Sequence, residues 1–165
     1  LIYEAFTYYD HEVLPYKNDD MINAKAMPGA HAALQAVQDA GLRCALFTNP
    51  SFPQGAIECR MGWGELTDAP FELVTHMGNA TRCKPDATYY LEQLQVMGLE
   101  PHEVLMVGND PKRDFPSPAC GIQTAYVGQG KPGRATWRGT MEDFARDFNA
   151  VVETFYEHQI ADELS

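Results

Sequence analysis

Three short stretches of this 165-residue sequence combine residue types that can do chemistry: Thr48-Asn49 ending "CALFTN", Lys84 in "RCKPD" (82–86), and the paired carboxylates of "GNDPKRD" (108–114). Asp110 and Asp114 stand four residues apart on a turn leaving an apolar run. That spacing lets two carboxylates face one point and share a hard cation such as Mg2+, which offsets their mutual repulsion. Both also fit ordinary turn and helix-start roles. Lys84 precedes a proline at a helix start, where free backbone N–H groups and the positive end of the helix dipole favour an anion. A single lysine there is also commonly a solvated charge. Taken with the Thr48 hydroxyl, the set reads as a phosphate clamp opposite a metal.

The elements that must position these residues alternate between short apolar runs and longer helical periods. Ile2, Phe6, Tyr9 and Val13 have helical spacing over residues 1 to 14, and "PYKNDD" (15–20) breaks the pattern. Pro28 opens a second helix with Ala30, Ala33, Leu34 and Val37 on one face, closed by Gly41. Strands are predicted at "RCALFT" (43–48), "FELVTH" (71–76), "VLMVGN" (104–109) and "TAYVG" (124–128). Helices are predicted at 54–62 and from Pro85 to Gly98, the latter with Ala87, Tyr90, Leu91 and Leu94 inward. A basic loop runs from Lys131 to Arg138, and a terminal helix turns Phe144, Phe148, Val151, Val152 and Phe155 inward. Almost continuously apolar strands alternating with helices imply α/β architecture, a doubly wound parallel sheet covered on both faces. Ligands of such sheets sit outside the carboxyl ends of the strands. Thr48-Asn49 and "GNDPKRD" both stand at such ends.

Composition narrows the function classes. A net charge of −11 disfavours nucleic acid or an anionic membrane as partner, since either needs clustered Lys and Arg. Cys44, Cys59, Cys83 and Cys120 lie far apart with no C-x-x-C pair, so no zinc knuckle or redox motif is indicated and reduced thiols in a cytoplasmic protein are expected. No apolar run approaches the ~20 residues that span a bilayer, and the N-terminus lacks the pattern of a signal peptide.

The ordered set "LFTN", "CKPD" and "MVGNDPKRD" resembles motifs two, three and four of the haloacid dehalogenase-like hydrolase superfamily, and the resemblance covers roughly residues 26 to 128. It implies a doubly wound parallel sheet and Mg2+-dependent hydrolysis of a small phosphate monoester through an aspartyl-phosphate. Carried over, Thr48 and the Asn49 backbone N–H would bind the phosphoryl group, and Lys84 would neutralise it. Asp110 and Asp114 would hold Mg2+. The family commonly has Gly-Asp where this sequence has Gly108-Asn109-Asp110, which leaves Asn109 and Asp110 as candidates for the first metal position; Asp110 is favoured because it brings charge.

Motif one, a strand ending in D-x-D-x-T that supplies the nucleophile, is not found in this sequence. Its nearest imitation, Asp10 and Glu12 in "YYDHE", is expected to be a solvated helix end. Residues 1–26 resemble the end of a helical cap and residues 27–165 an α/β core without the motif-one strand, so an N-terminal segment of the same protein is expected to complete the site. Two other readings stay open: an inactive binding or regulatory module, and a 2-haloacid dehalogenase, against which the retained Asp110 and Asp114 argue.

Overall fold

The computed structural model describes residues 2–131 and 133–163. The chain forms two compact units, one made of residues up to Met27 with Arg43–Ala80, the other of Pro28–Leu42 with Thr81 onward.

In the first unit, helix α1 (Ile2–Tyr8) continues through a π-helical turn (Tyr9–Val13), a 3-10 turn (Leu14–Tyr16) and a second π turn (Asn18–Ile22). The expected break at "PYKNDD" is therefore a change of helical pitch. Pro15 is tolerated because it enters the 3-10 turn at its start, where no backbone donor is required. Strands β1 (Ala45–Leu46) and β2 (Leu73–Val74) pair in parallel, Ala45 against Leu73 and Leu46 against Val74. Helix α3 (Gln54–Trp63) connects them. The six-residue strands expected from the apolar runs shrink to two residues each, because a ladder lasts only as long as a neighbour pairs with it. An exposed Arg43–Glu72 ion pair lies beside this ladder.

Asp10 corrects the sequence reading. It is buried, at 7% exposure, and Gly55 in the first turn of α3 lies close to its Cβ and to the His11 ring. Glu12 is exposed as expected.

In the second unit, β3 (Leu105–Gly108), β4 (Gln123–Val127) and β5 (Trp137–Gly139) form a parallel sheet in that order. Strand β5 begins within the last residues of the stretch read as a basic loop (Lys131–Arg138). Three residues with an exposed arginine at their centre carry too little apolar pattern to announce a strand, and it is pairing with β4 that creates one. Helix α2 (Ala30–Asp39), α5 (Met141–Arg146) and α6 (Phe148–Glu163) cover this sheet through a core of Ala33, Ala125, Val127, Phe144, Phe148 and Val151. The single terminal helix expected from periodicity is in fact two, because Asp147 leaves helical geometry between α5 and α6. Gly29 enters α2 with φ +84, and a Cβ there would meet the Glu142 backbone nitrogen at 2.6 Å, so glycine is required by both conformation and packing.

Helix α4 (Ala87–Met97) starts where Pro85 announced it. The Asp86 side chain caps it by accepting from the Thr88 N–H at 2.9 Å, and Gly98 closes it with φ +66. Its inward face is Tyr89, Tyr90, Gln93 and Leu94; Leu91, expected inside, is 44% exposed. All strand pairs found among the described residues are parallel, as the sequence pattern implies.

Candidate functional site

The carboxyl end of β3 gathers the charged candidates of the second unit. Gly108 ends the strand, and the chain then turns through Asp110–Asp114, with the Asp114 N–H donating to the Asp110 carbonyl at 2.7 Å. This brings the Asp114 carboxylate back over the strand end. Its Oδ2 accepts the backbone N–H groups of Asn109 (3.1 Å) and Asp110 (2.9 Å), while its Oδ1 accepts the Lys84 Nζ at 2.6 Å. Both side chains of that ion pair are largely buried, 11% exposed for Lys84 and 14% for Asp114. A Cβ on Gly108 would stand 2.5 Å from the Asp114 Cβ and 2.8 Å from Oδ2. Only glycine lets the carboxylate approach this closely.

Asp110 is held differently. Its Oδ1 accepts the Lys112 N–H at 3.1 Å, and its Oδ2 lies 3.6 Å from Arg113 Nε, with the side chain 45% exposed. The carboxylate thus shapes its own turn while keeping an open side.

Beneath the loop, Tyr90 is fully buried and donates its hydroxyl to the Asp114 carbonyl at 2.5 Å. Burial, and after it the Asp114 charge, push the phenol far above its ordinary pKa, so it remains a donor. Sequence periodicity marks Tyr90 as core; its hydroxyl partner, 24 residues away, carries no local signal.

Thr48 and Asn49 belong to the first unit. Thr48 leaves β1 and interlocks with Thr75 at the end of β2. The Thr48 N–H donates to Thr75 Oγ1 at 2.7 Å, and the Thr48 hydroxyl donates to the Thr75 carbonyl at 2.6 Å. Thr75 is fully buried. It is the site-proximal residue that sequence reading missed, although a threonine closing the run "FELVT" parallels the one closing "ALFT". Asn49 is exposed and its carbonyl accepts the Ser51 N–H at 2.7 Å.

An all-oxygen pair of carboxylates suits a hard divalent cation, and Mg2+ characteristically takes only one or two protein carboxylates, completing its shell with waters and substrate phosphate. Asp110 and Asp114 fit that donor chemistry. No group of three or more His, Cys, Asp or Glu side chains that could hold a metal occurs among the described residues. The four cysteines are free thiols. No helix among the described residues is long and apolar enough to cross a membrane.

The family model of the haloacid dehalogenase-like hydrolases matches residues 4–120. The chain belongs to that family. It is 30% identical over 115 residues to a phosphoglycolate phosphatase of Rhodospirillum rubrum, an alignment covering 70% of this chain and 46% of the relative. The chain thus spans just under half the length of that relative. Among solved structures it resembles a β-phosphoglucomutase from Clostridium difficile, with a TM-score of 0.65 at 15% identity over 81% of this chain and 58% of the other. It also resembles a family hydrolase from Deinococcus radiodurans crystallised with phosphate and sodium, with a TM-score of 0.64 at 20% identity over 91% of this chain and 74% of the other. These likenesses are of fold. They agree with the parallel strands and flanking helices in giving this member of the haloacid dehalogenase-like family its doubly wound α/β class.

Proposed function

We propose that this chain is the phosphoryl- and metal-handling part of a Mg2+-dependent phosphatase that hydrolyses a small phosphate monoester through an aspartyl-phosphate. The observation that carries the reading is the Lys84–Asp114 pair, a largely buried ammonium and carboxylate at a strand's carboxyl end with two backbone N–H groups on the same carboxylate. The fold by itself would serve many chemistries; the charges at this strand end favour an anionic substrate held beside a cation.

In this reading Lys84 neutralises the phosphoryl group, and Thr48 with the Asn49 backbone N–H donates to its oxygens. The Thr48 hydroxyl must then exchange its Thr75 partner for substrate. Asp110 and Asp114 hold Mg2+, with Asn109 as the alternative first position. When bound, Mg2+ supplies positive charge where the phosphoryl oxygens gain negative charge. The nucleophilic aspartate comes from an upstream motif-one segment of the same protein. It displaces the alcohol from phosphorus, and water then releases phosphate from the acyl phosphate. Free thiols suit a cytoplasmic setting.

The test is release of inorganic phosphate by the full-length protein from a panel of phosphate monoesters. Lys84→Met is expected to cost about 3 kcal/mol of transition-state stabilisation, roughly a hundredfold in turnover. Turnover equal to the parent in that variant returns Lys84 to a structural ion pair, and turnover that persists in chelator removes Mg2+ from the reading.

A further inference from the structure

Asp114 is gripped at both ends by one stretch of chain. Lys84 holds its carboxylate at 2.6 Å, and Tyr90, six residues further on and near the start of α4, holds its carbonyl at 2.5 Å. The Tyr90 Oη also stands 3.5 Å from the Arg113 carbonyl, so the phenol reaches the last peptide of the turn that carries Asp114. Its ring cannot move aside easily: it is fully buried and packs edge-to-face on Tyr89 with ring centroids 5.1 Å apart. On the third side, the Asp114 side chain fills the space that a Cβ on Gly108 would take, 2.5 Å from its own Cβ.

We infer that Tyr90 is a positioning residue, setting where the Asp114 carboxylate lies and thereby how tightly the loop binds a divalent cation. The inference rests on the reading of Asp114 as a Mg2+ ligand. A phenylalanine would fill the same space in the core, so only the hydroxyl's hold on the turn is at issue. A carboxylate tied only through its side chain can follow Lys84 or the Asn109 and Asp110 amides as they move. Tied through its carbonyl as well, it presents its oxygens at one place, so a cation meets a preformed site.

The experiment compares Tyr90→Phe with Tyr89→Phe in the full-length protein by two readouts, hydrogen exchange at the Asn109 and Asp110 amides and Mg2+ affinity by calorimetry. Tyr90→Phe is expected to speed exchange at those two amides about 10-fold, the effect of losing one part-buried hydrogen bond. It should weaken Mg2+ binding by about 10-fold or more, as loss of an outer-shell partner does, with kcat at saturating Mg2+ within about 2-fold of the parent. Tyr89→Phe should change neither readout. Unchanged exchange in Tyr90→Phe overturns the inference, and so does faster exchange with parental Mg2+ affinity. An equal effect from Tyr89→Phe also overturns it, by showing general loosening of α4. A parent protein that binds no Mg2+ sinks the metal assignment instead. In that event exchange at the two amides decides by itself whether Tyr90 positions Asp114.

Discussion

The ends of β1 and β3 carry the same kind of sequence signal, an apolar run closed by polar residues, and fold it in opposite ways. At β1 the polar groups are neutral and close on themselves: Thr48 and Thr75 exchange backbone and hydroxyl bonds across the ladder. At β3 they are charged and held in a cage, with Lys84, two backbone N–H groups and the Tyr90 hydroxyl all fixed on Asp114. Hydroxyls can be buried for the cost of one or two hydrogen bonds each. A carboxylate and an ammonium taken largely out of water cost several kcal/mol apiece unless both are fully engaged. A fold keeps such a pair only with many partners, which is why the β3 end has a built cage and the β1 end a simple lock. One strand end thus holds opposite charges together, and the other ties two strands through hydroxyl and backbone bonds.

The largest effect should come from removing the charge of the cage. The double change Asp110→Asn, Asp114→Asn should abolish Mg2+-dependent turnover of the full-length protein. Because it takes away the carboxylate that the largely buried Lys84 pairs with, it should also cost about 3–5 kcal/mol in urea unfolding, so turnover is read per folded molecule. Comparing each single change with Asn109→Ala then sharpens the assignment. A severe loss from Asp110→Asn with a mild one from Asn109→Ala places Asp110 at the metal, and the reverse order places Asn109 there.

A purely steric change tests whether the cage is as tight as its distances say. Gly108→Ala puts a methyl group onto the Asp114 side chain, and it should destabilise the protein by about 1–3 kcal/mol in urea unfolding, as overpacking does. Stability within error of the parent would mean that the carboxylate shifts freely, and the contrast between the two strand ends would then fail.

At the β1 end the expected effects are smaller. Thr48→Val deletes one hydrogen bond to Thr75 and should cost about 1 kcal/mol of stability. If the hydroxyl also serves substrate, turnover per folded molecule should fall about 10-fold through the loss of that bond. Thr75→Val should lower the melting temperature further, because Thr75 is fully buried and its hydroxyl meets the Thr48 N–H. A Thr48→Val protein with lowered stability and parental turnover would leave Thr48 as a strand anchor alone.

Much of this was legible residue by residue. The limits of α4 could be read because helix start and stop signals are local: Pro85 before it and Gly98 after it act on backbone groups a few residues away. Motif order announced the family, the strand ends announced where Thr48, Asp110 and Asp114 would emerge, and a helix start where Lys84 would. Ladder lengths, strand β5, the outward turn of Leu91 and the burial of Asp10 were not legible. Each depends on which neighbour packs against the segment, and a window of sequence does not contain that neighbour.

By itself, then, the sequence determined the α/β class, the order of elements and the chemical types present at each strand end, since these follow from periodicity, caps and motif spacing. Tertiary structure decided the partners. Thr48 meets Thr75 27 residues on, Asp114 meets Lys84 30 residues back and Tyr90 24 residues back. Hydrogen bonds act over about 3 Å, whereas these separations are crossed only when the whole chain folds, so side-chain chemistry could be read early and its pairing could not.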